Sequence, residues 1–155
     1  MNRSRRKALK TSGGLTVLSL AMASGLFPGL AAAADWNKVA FEAKSLQDVV
    51  KAMGGAAPAE SKDIAITSPD IAENGAVVPV AVASKLGKTE SIAILVEKNP
   101  NALAASFDIQ AGTEPFVSTR VKMGQTSNVH ALVKADGKYY YTTKEIKVTL
   151  GGCGG

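Results

Sequence analysis

The sequence predicts an all-β chain: an immunoglobulin-like β-sandwich with an N-terminal helix and a flexible C-terminal arm. Three observations carry that expectation. Helical periodicity is confined to one stretch ahead of Gly54, short apolar runs separated by turn residues fill the chain after Ser61, and Gly-Gly-Cys-Gly-Gly occupies positions 151–155.

Residues 1–34 read as a leader. Arg3, Arg5, Arg6, Lys7 and Lys10 precede an uncharged apolar stretch from about Leu15 to Leu30, and Ala31-Ala32-Ala33-Ala34 follows before Asp35. Cleavage is expected after Ala34. A membrane-spanning helix is the poorer reading, because Ser19, Ser24, Gly25, Pro28 and Gly29 leave the stretch short of ~20 good apolar residues. Ser4-Arg5-Arg6-Lys7-Ala8-Leu9-Lys10 resembles the twin-arginine export motif, with Ala8 where a bulky apolar residue is usual. Such export moves a folded chain, together with any bound partner, into the periplasm, with no membrane association of the mature form. The leader also accounts for the net charge of +5. No acid occurs before Asp35, and from there on basic and acidic residues balance at 13 each. A nucleic-acid partner therefore loses its electrostatic support.

In residues 35–150, Asp35 can cap a helix from Trp36 to about Met53, with Gly54-Gly55 as its stop. Trp36, Val39, Ala43, Leu46, Val50 and Met53 share one stripe, fit either for the core or for a partner. Ala56-Ala57-Pro58-Ala59 reads as a linker. Strands are expected over Lys62–Thr67, Gly75–Ser84, Ser91–Glu97, Ala105–Gln110, Phe116–Met123, Thr126–Ala135, Lys138–Thr142 and Glu145–Leu150. Pro69-Asp70, Asn74-Gly75, Asn99-Pro100, Gly112 and Asp136-Gly137 punctuate them. Alternation is clearest where Val129, Ala131 and Val133 oppose His130, Leu132 and Lys134, and where Ile146, Val148 and Leu150 oppose Glu145, Lys147 and Thr149.

With one histidine and one cysteine in the chain, neither a Cys/His zinc site nor a disulfide framework can be assembled, and no cofactor is expected. Any Ser-His-Asp or Cys-His constellation would have to use His130. Its place opposite Val129 and Val133 fits a solvated or interface histidine better than a catalytic base. Lys62-Asp63 and Glu97-Lys98 read as solvated surface, while Trp36, Tyr139, Tyr140 and Tyr141 are candidates for a partner surface.

The arm concentrates the chemistry. Gly151, Gly152, Gly154 and Gly155 carry no Cβ, so they leave the backbone free and clear both sides of the Cys153 sulfur. Three residues past Leu150 carry the thiol roughly 10 Å from the sandwich. No positive charge lies nearer in sequence than Lys147, and a terminal carboxylate two residues away disfavours the thiolate. Such a thiol is poorly equipped for catalysis on its own and well suited to being presented to another protein. An exported structural or adhesion domain, joined to its neighbour by a disulfide through Cys153, is the alternative; a thiol oxidoreductase would want a second cysteine or a nearby base.

Arg120-Val121-Lys122-Met123-Gly124-Gln125-Thr126-Ser127, Ala135-Asp136-Gly137-Lys138 and Glu145-Ile146-Lys147-Val148-Thr149-Leu150 running into Gly-Gly-Cys-Gly-Gly resemble the SoxY family, the sulfur-carrier subunits of the Sox thiosulfate-oxidising system. The resemblance implies a non-catalytic carrier in a heterodimer with SoxZ, a second immunoglobulin-like protein. It also implies that Cys153 holds thiosulfate-derived sulfur covalently while SoxAX loads it, SoxB removes sulfate, and a sulfur dehydrogenase, where present, oxidises the sulfur that remains.

Overall fold

The computed structural model describes residues 37–149. The chain enters through two short helices, α1 (Lys38–Glu42) and α2 (Leu46–Ala52). Nine strands follow: β1 (Ala59–Glu60), β2 (Ile64–Thr67), β3 (Ile71–Ala72), β4 (Val78–Ser84), β5 (Thr89–Val96), β6 (Leu103–Asp108), β7 (Phe116–Val121), β8 (Ser127–Ala135) and β9 (Lys138–Val148). One sheet has the order β1-β9-β8-β5-β6, with β3 also paired to β9; the other has the order β2-β4-β7. The all-β sandwich expected from the turn spacing is therefore present.

The core between the sheets follows from period-two alternation. Val78, Val80 and Val82 of β4 meet Ile92, Ile94 and Val96 of β5 and Val129, Ala131 and Val133 of β8, all buried. β5 is buried on both faces because a second cluster lies behind it. There Ala93, Leu95, Leu103, Leu132 and Tyr139 pack against Ala40, Ala43, Val49 and Val50 of the helical segment. The two helices thus roof the outer face of the larger sheet.

Strands β8 and β9 form a hairpin whose two-residue turn is Asp136-Gly137, with φ of 50° and 71°. Two positive φ values in succession match the type I′ turn, whose twist suits the flanking strands.

The structure corrects four expectations. The single helix from Trp36 to Met53 is two helices, broken where Ala43 turns extended (φ −66°, ψ 145°). Tertiary contacts override the helical pattern at this point. The Ala43 carbonyl accepts from Ala102 N–H at 3.0 Å, Lys44 Nζ bonds the Pro100 carbonyl, and Ser45 caps α2 by accepting from Asp48 N–H at 3.1 Å. The stripe breaks with it: Val39 is 68% exposed and Ala40 takes the buried place, while Trp36 lies outside the described residues. The two strands expected over Lys138–Thr142 and Glu145–Leu150 are one, because Thr143 and Lys144 stay in register with His130 and Val129 and no turn residue interrupts them. Finally, β1 lies partly in the expected linker and β3 within an expected loop; each adds a short parallel pairing to β9.

Candidate functional site

Cys153 and its glycines lie outside the described residues, as does Leu150. The described part of the site is the base from which that segment departs, the end of β9. Parallel β3 pairs Ile71 with Lys147 and Ala72 with Val148 along one edge, and Lys147 N–H donates to the Asp70 carbonyl at 2.9 Å. Thr149 N–H donates to the Ala72 carbonyl at 3.1 Å. From the other side Thr126 Oγ1 accepts from Val148 N–H at 3.0 Å. The last described residues of the strand are therefore held from both edges.

The loops that do the holding are themselves fixed. A Cβ on Gly75 would overlap the Met123 carbonyl oxygen and lie 2.8 Å from Val148 Cγ1, so only glycine permits this approach. Met123 N–H returns a 2.7 Å bond to the Gly75 carbonyl, and Met123 is buried beneath it. Asn99 Nδ2 donates to the Lys122 carbonyl at 2.7 Å, which ties the 122–126 loop to the β5–β6 turn. Lys144 Nζ bonds the Ser68 carbonyl at 2.5 Å and Asp70 Oδ1 at 2.9 Å, drawing the segment ahead of β3 onto β9. The hydrogen bond from Lys144, reinforced by its charge, holds the Asp70 carboxyl below the usual aspartate range.

Two segments singled out in the sequence, 120–127 and 145–149, are thus brought together. Asn74-Gly75, read there only as a turn, belongs with them. Its signal was visible as a turn dipeptide, but its pairing with a strand some seventy residues later was not.

The other candidates separate. His130 sits on the helix-covered face of the larger sheet, 14% exposed at its side chain. Its Nδ1 is 2.8 Å from Thr143 Oγ1, and its Nε2 is 3.9 Å from Glu97 Oε2, which also accepts from Asn128 Nδ2 at 2.9 Å. Burial lowers its pKa against the opposing pull of Glu97. It lines an open cleft of ≈ 610 Å³ with Lys44, Ser45, Tyr141 and Thr143; the Thr143 hydroxyl is paired with it, but the Glu97 carboxylate at 3.9 Å is beyond hydrogen-bond reach of the other ring nitrogen, so the orienting bond of a triad is not made. Tyr139 is core, not partner surface: it is 7% exposed, and its hydroxyl donates to the Met53 carbonyl at 3.1 Å. Tyr140 and Tyr141 are half-buried against the two opposite clusters. Among the described residues no group of three His, Cys, Asp or Glu side chains could hold a metal ion, and no helix is long and apolar enough to cross a membrane.

The model of the family described as sulfur oxidation protein SoxY matches residues 49–153, a span that includes both the clamp around β9 and Cys153. The solved structure of the sulfur carrier protein SoxY from Chlorobium limicola f. thiosulfatophilum is similar at 42% identity and a TM-score of 0.62, over 68% of this chain and 96% of that one. The E23A form of a superoxide reductase (neelaredoxin) from Ignicoccus hospitalis is similar at 18% identity and a TM-score of 0.50, over 69% of this chain and 100% of that one; this likeness concerns the fold alone. No curated protein matches.

Proposed function

Since the chain belongs to the SoxY family and so has a sulfur-carrier role in sulfur oxidation, we propose that it carries sulfur intermediates covalently on Cys153 during periplasmic thiosulfate oxidation. On this reading Cys153 rides a swinging Gly-Gly-Cys-Gly-Gly arm and is offered in turn to partner enzymes. The chain supplies the acceptor sulfur and the partners supply the catalysis. The leader ending at Ala34 delivers it to the periplasm, and SoxZ is its heterodimer partner.

The chemistry balances with a thiolate as acceptor. SoxAX would accept the two electrons released as a sulfur–sulfur bond forms between the Cys153 thiolate and the outer sulfur of thiosulfate, giving a cysteine S-thiosulfonate. SoxB then adds water across the bond between that sulfur and the sulfonate group, releasing sulfate and two protons and leaving a persulfide. A sulfur dehydrogenase, where present, oxidises this remaining sulfur. The adduct is anionic at each of these stages, and the covalent bond keeps it from diffusing away between enzymes.

The observation that supports the reading is the clamp on Val148 and Thr149. A carrier needs a fixed origin for the segment that bears its thiol, and the clamp lies four residues ahead of Cys153 in sequence. From Thr149 to Cys153 the backbone spans at most roughly 14 Å, enough to enter a neighbouring active site with only glycine beside the sulfur.

Intact-mass spectrometry of the protein from thiosulfate-grown cells tests this. The expected result is a reductant-labile adduct on the peptide containing Cys153, absent from Cys153→Ser, whose fold and SoxZ pairing are retained. An unmodified thiol, or only a disulfide joining two copies, would count for the structural-domain alternative. Thiosulfate consumption that Cys153→Ser still supports would refute the carrier role outright.

A further inference from the structure

The outer face of the β2-β4-β7 sheet is built like a contact surface. An antiparallel sheet with one wet face ordinarily alternates apolar inward and polar outward. Strand β4 does not, since between buried Val78, Val80 and Val82 it sends Pro79, Ala81 and Ala83 outward. The registers extend this across three strands. Ala65, Ala83 and Phe116 form one row, Thr67, Ala81 and Ser118 the next, and Pro79 stands beside Arg120. Phe116 is 51% exposed, and Val77, just ahead of β4, is 49% exposed. Apart from Arg120 these rows carry no charge, and Arg120 makes no ion pair among the described residues.

Resting on the heterodimer reading above and deepening it, we propose that this face is where a heterologous partner docks, through a flat apolar surface edged by a carboxylate that meets Arg120. The arginine decides the type of occupant. A second copy packed row on row offers no acid within the face, so Arg120 would gain no counter-charge there. A chain of different sequence can supply the carboxylate. Area sets the extent of the contact. Three strands about 4.8 Å apart and ~20 Å long present roughly 300 Å² in projection, whereas a standard interface takes ~800 Å² from each partner. The contact therefore continues over the free edge of β7, the strand that carries both Phe116 and Arg120.

Ala81→Lys, Arg120→Gln and, as a control on the exposed side of β6, Ser106→Lys should be titrated with SoxZ by calorimetry, with circular dichroism confirming the fold of each. Ala81→Lys is expected to weaken pairing roughly 100-fold and Arg120→Gln roughly tenfold, with Ser106→Lys unchanged. Undiminished affinity in Ala81→Lys, or an equal loss in Ser106→Lys, overturns the assignment of this face. Disruption by Ala81→Lys of a self-association alone overturns the heterologous occupant. If the unsubstituted chain fails to bind SoxZ, the heterodimer reading falls as well; if it binds and Ala81→Lys does too, only the face assignment falls.

Discussion

The two sheets send apolar side chains outward alike, yet among the described residues only one of them is covered by helices. Leu95, Leu132 and Tyr139 leave the outer face of the larger sheet and are buried under α1 and α2, whereas Ala81, Ala83 and Phe116 leave the smaller sheet with no helix packed over them among the described residues. Size follows cover. Large side chains stand where a roof exists, and mostly small ones where there is none, which limits the cost of facing water while keeping the face flat. One edge of each sheet shows a further difference among the described residues: β9 is flanked by β1 and β3, while no strand pairs beyond β7.

The sharpest way to break this comparison is to substitute one residue on each face. Leu132→Ala should cost about 2–5 kcal/mol in denaturant unfolding, as expected for a large side chain removed from a closed cluster. Ala81→Ser should stay within about 0.5 kcal/mol, because Ala81 keeps contact with solvent on a face that no helix covers among the described residues. A cost for Ala81→Ser approaching that of Leu132→Ala would mean that the smaller sheet is already covered by its own chain.

A smaller effect separates the edges. Gly75→Ala pushes a methyl group into the Met123 carbonyl and toward Val148, an overpacking expected to cost about 1–3 kcal/mol. The damage should be local. Amide exchange at Lys147 and Thr149 should accelerate while that of Leu132, in the middle of the sheet, changes little. Uniform acceleration across β8 and β9 would show that the clamp is not a separable unit but part of the global fold.

The sandwich was legible because its evidence is local. Alternation in β4 and β8 and the dipeptide Asp136-Gly137 need no knowledge of distant residues. The helix break was not legible: Ala43 and Lys44 are held by Ala102, Pro100 and Asn101, contacts made across more than fifty positions. The same holds for β1 and β3, two-residue strands that exist only because β9 offers an edge. At the candidate site the thiol and its glycines could be read directly, since composition alone sets them apart. Their footing could not, because Ala72, Gly75 and Thr126 carry no chemical signature and matter only through where the fold puts them.

The roof also predicts a modest pH dependence that the bare face cannot share. His130 lies beside the helical segment, in the cleft with Lys44 and Ser45, and burial lowers its folded-state pKa below the ordinary 6.5 despite the nearby Glu97 carboxylate. Between the folded and unfolded values the unfolded chain binds more protons, so stability rises with pH across that window. The contribution of His130 is thus fully present above about pH 6.5 and is lost as pH falls through the lower folded value. Thermal melts at descending pH should show a steeper decline below that point for the unsubstituted chain than for His130→Gln, which keeps a polar group near Thr143 without an ionisable ring. Parallel declines would mean that the imidazole is hydrated in the folded state, and hence that the helices cover this end of the sheet less closely than they cover Leu132.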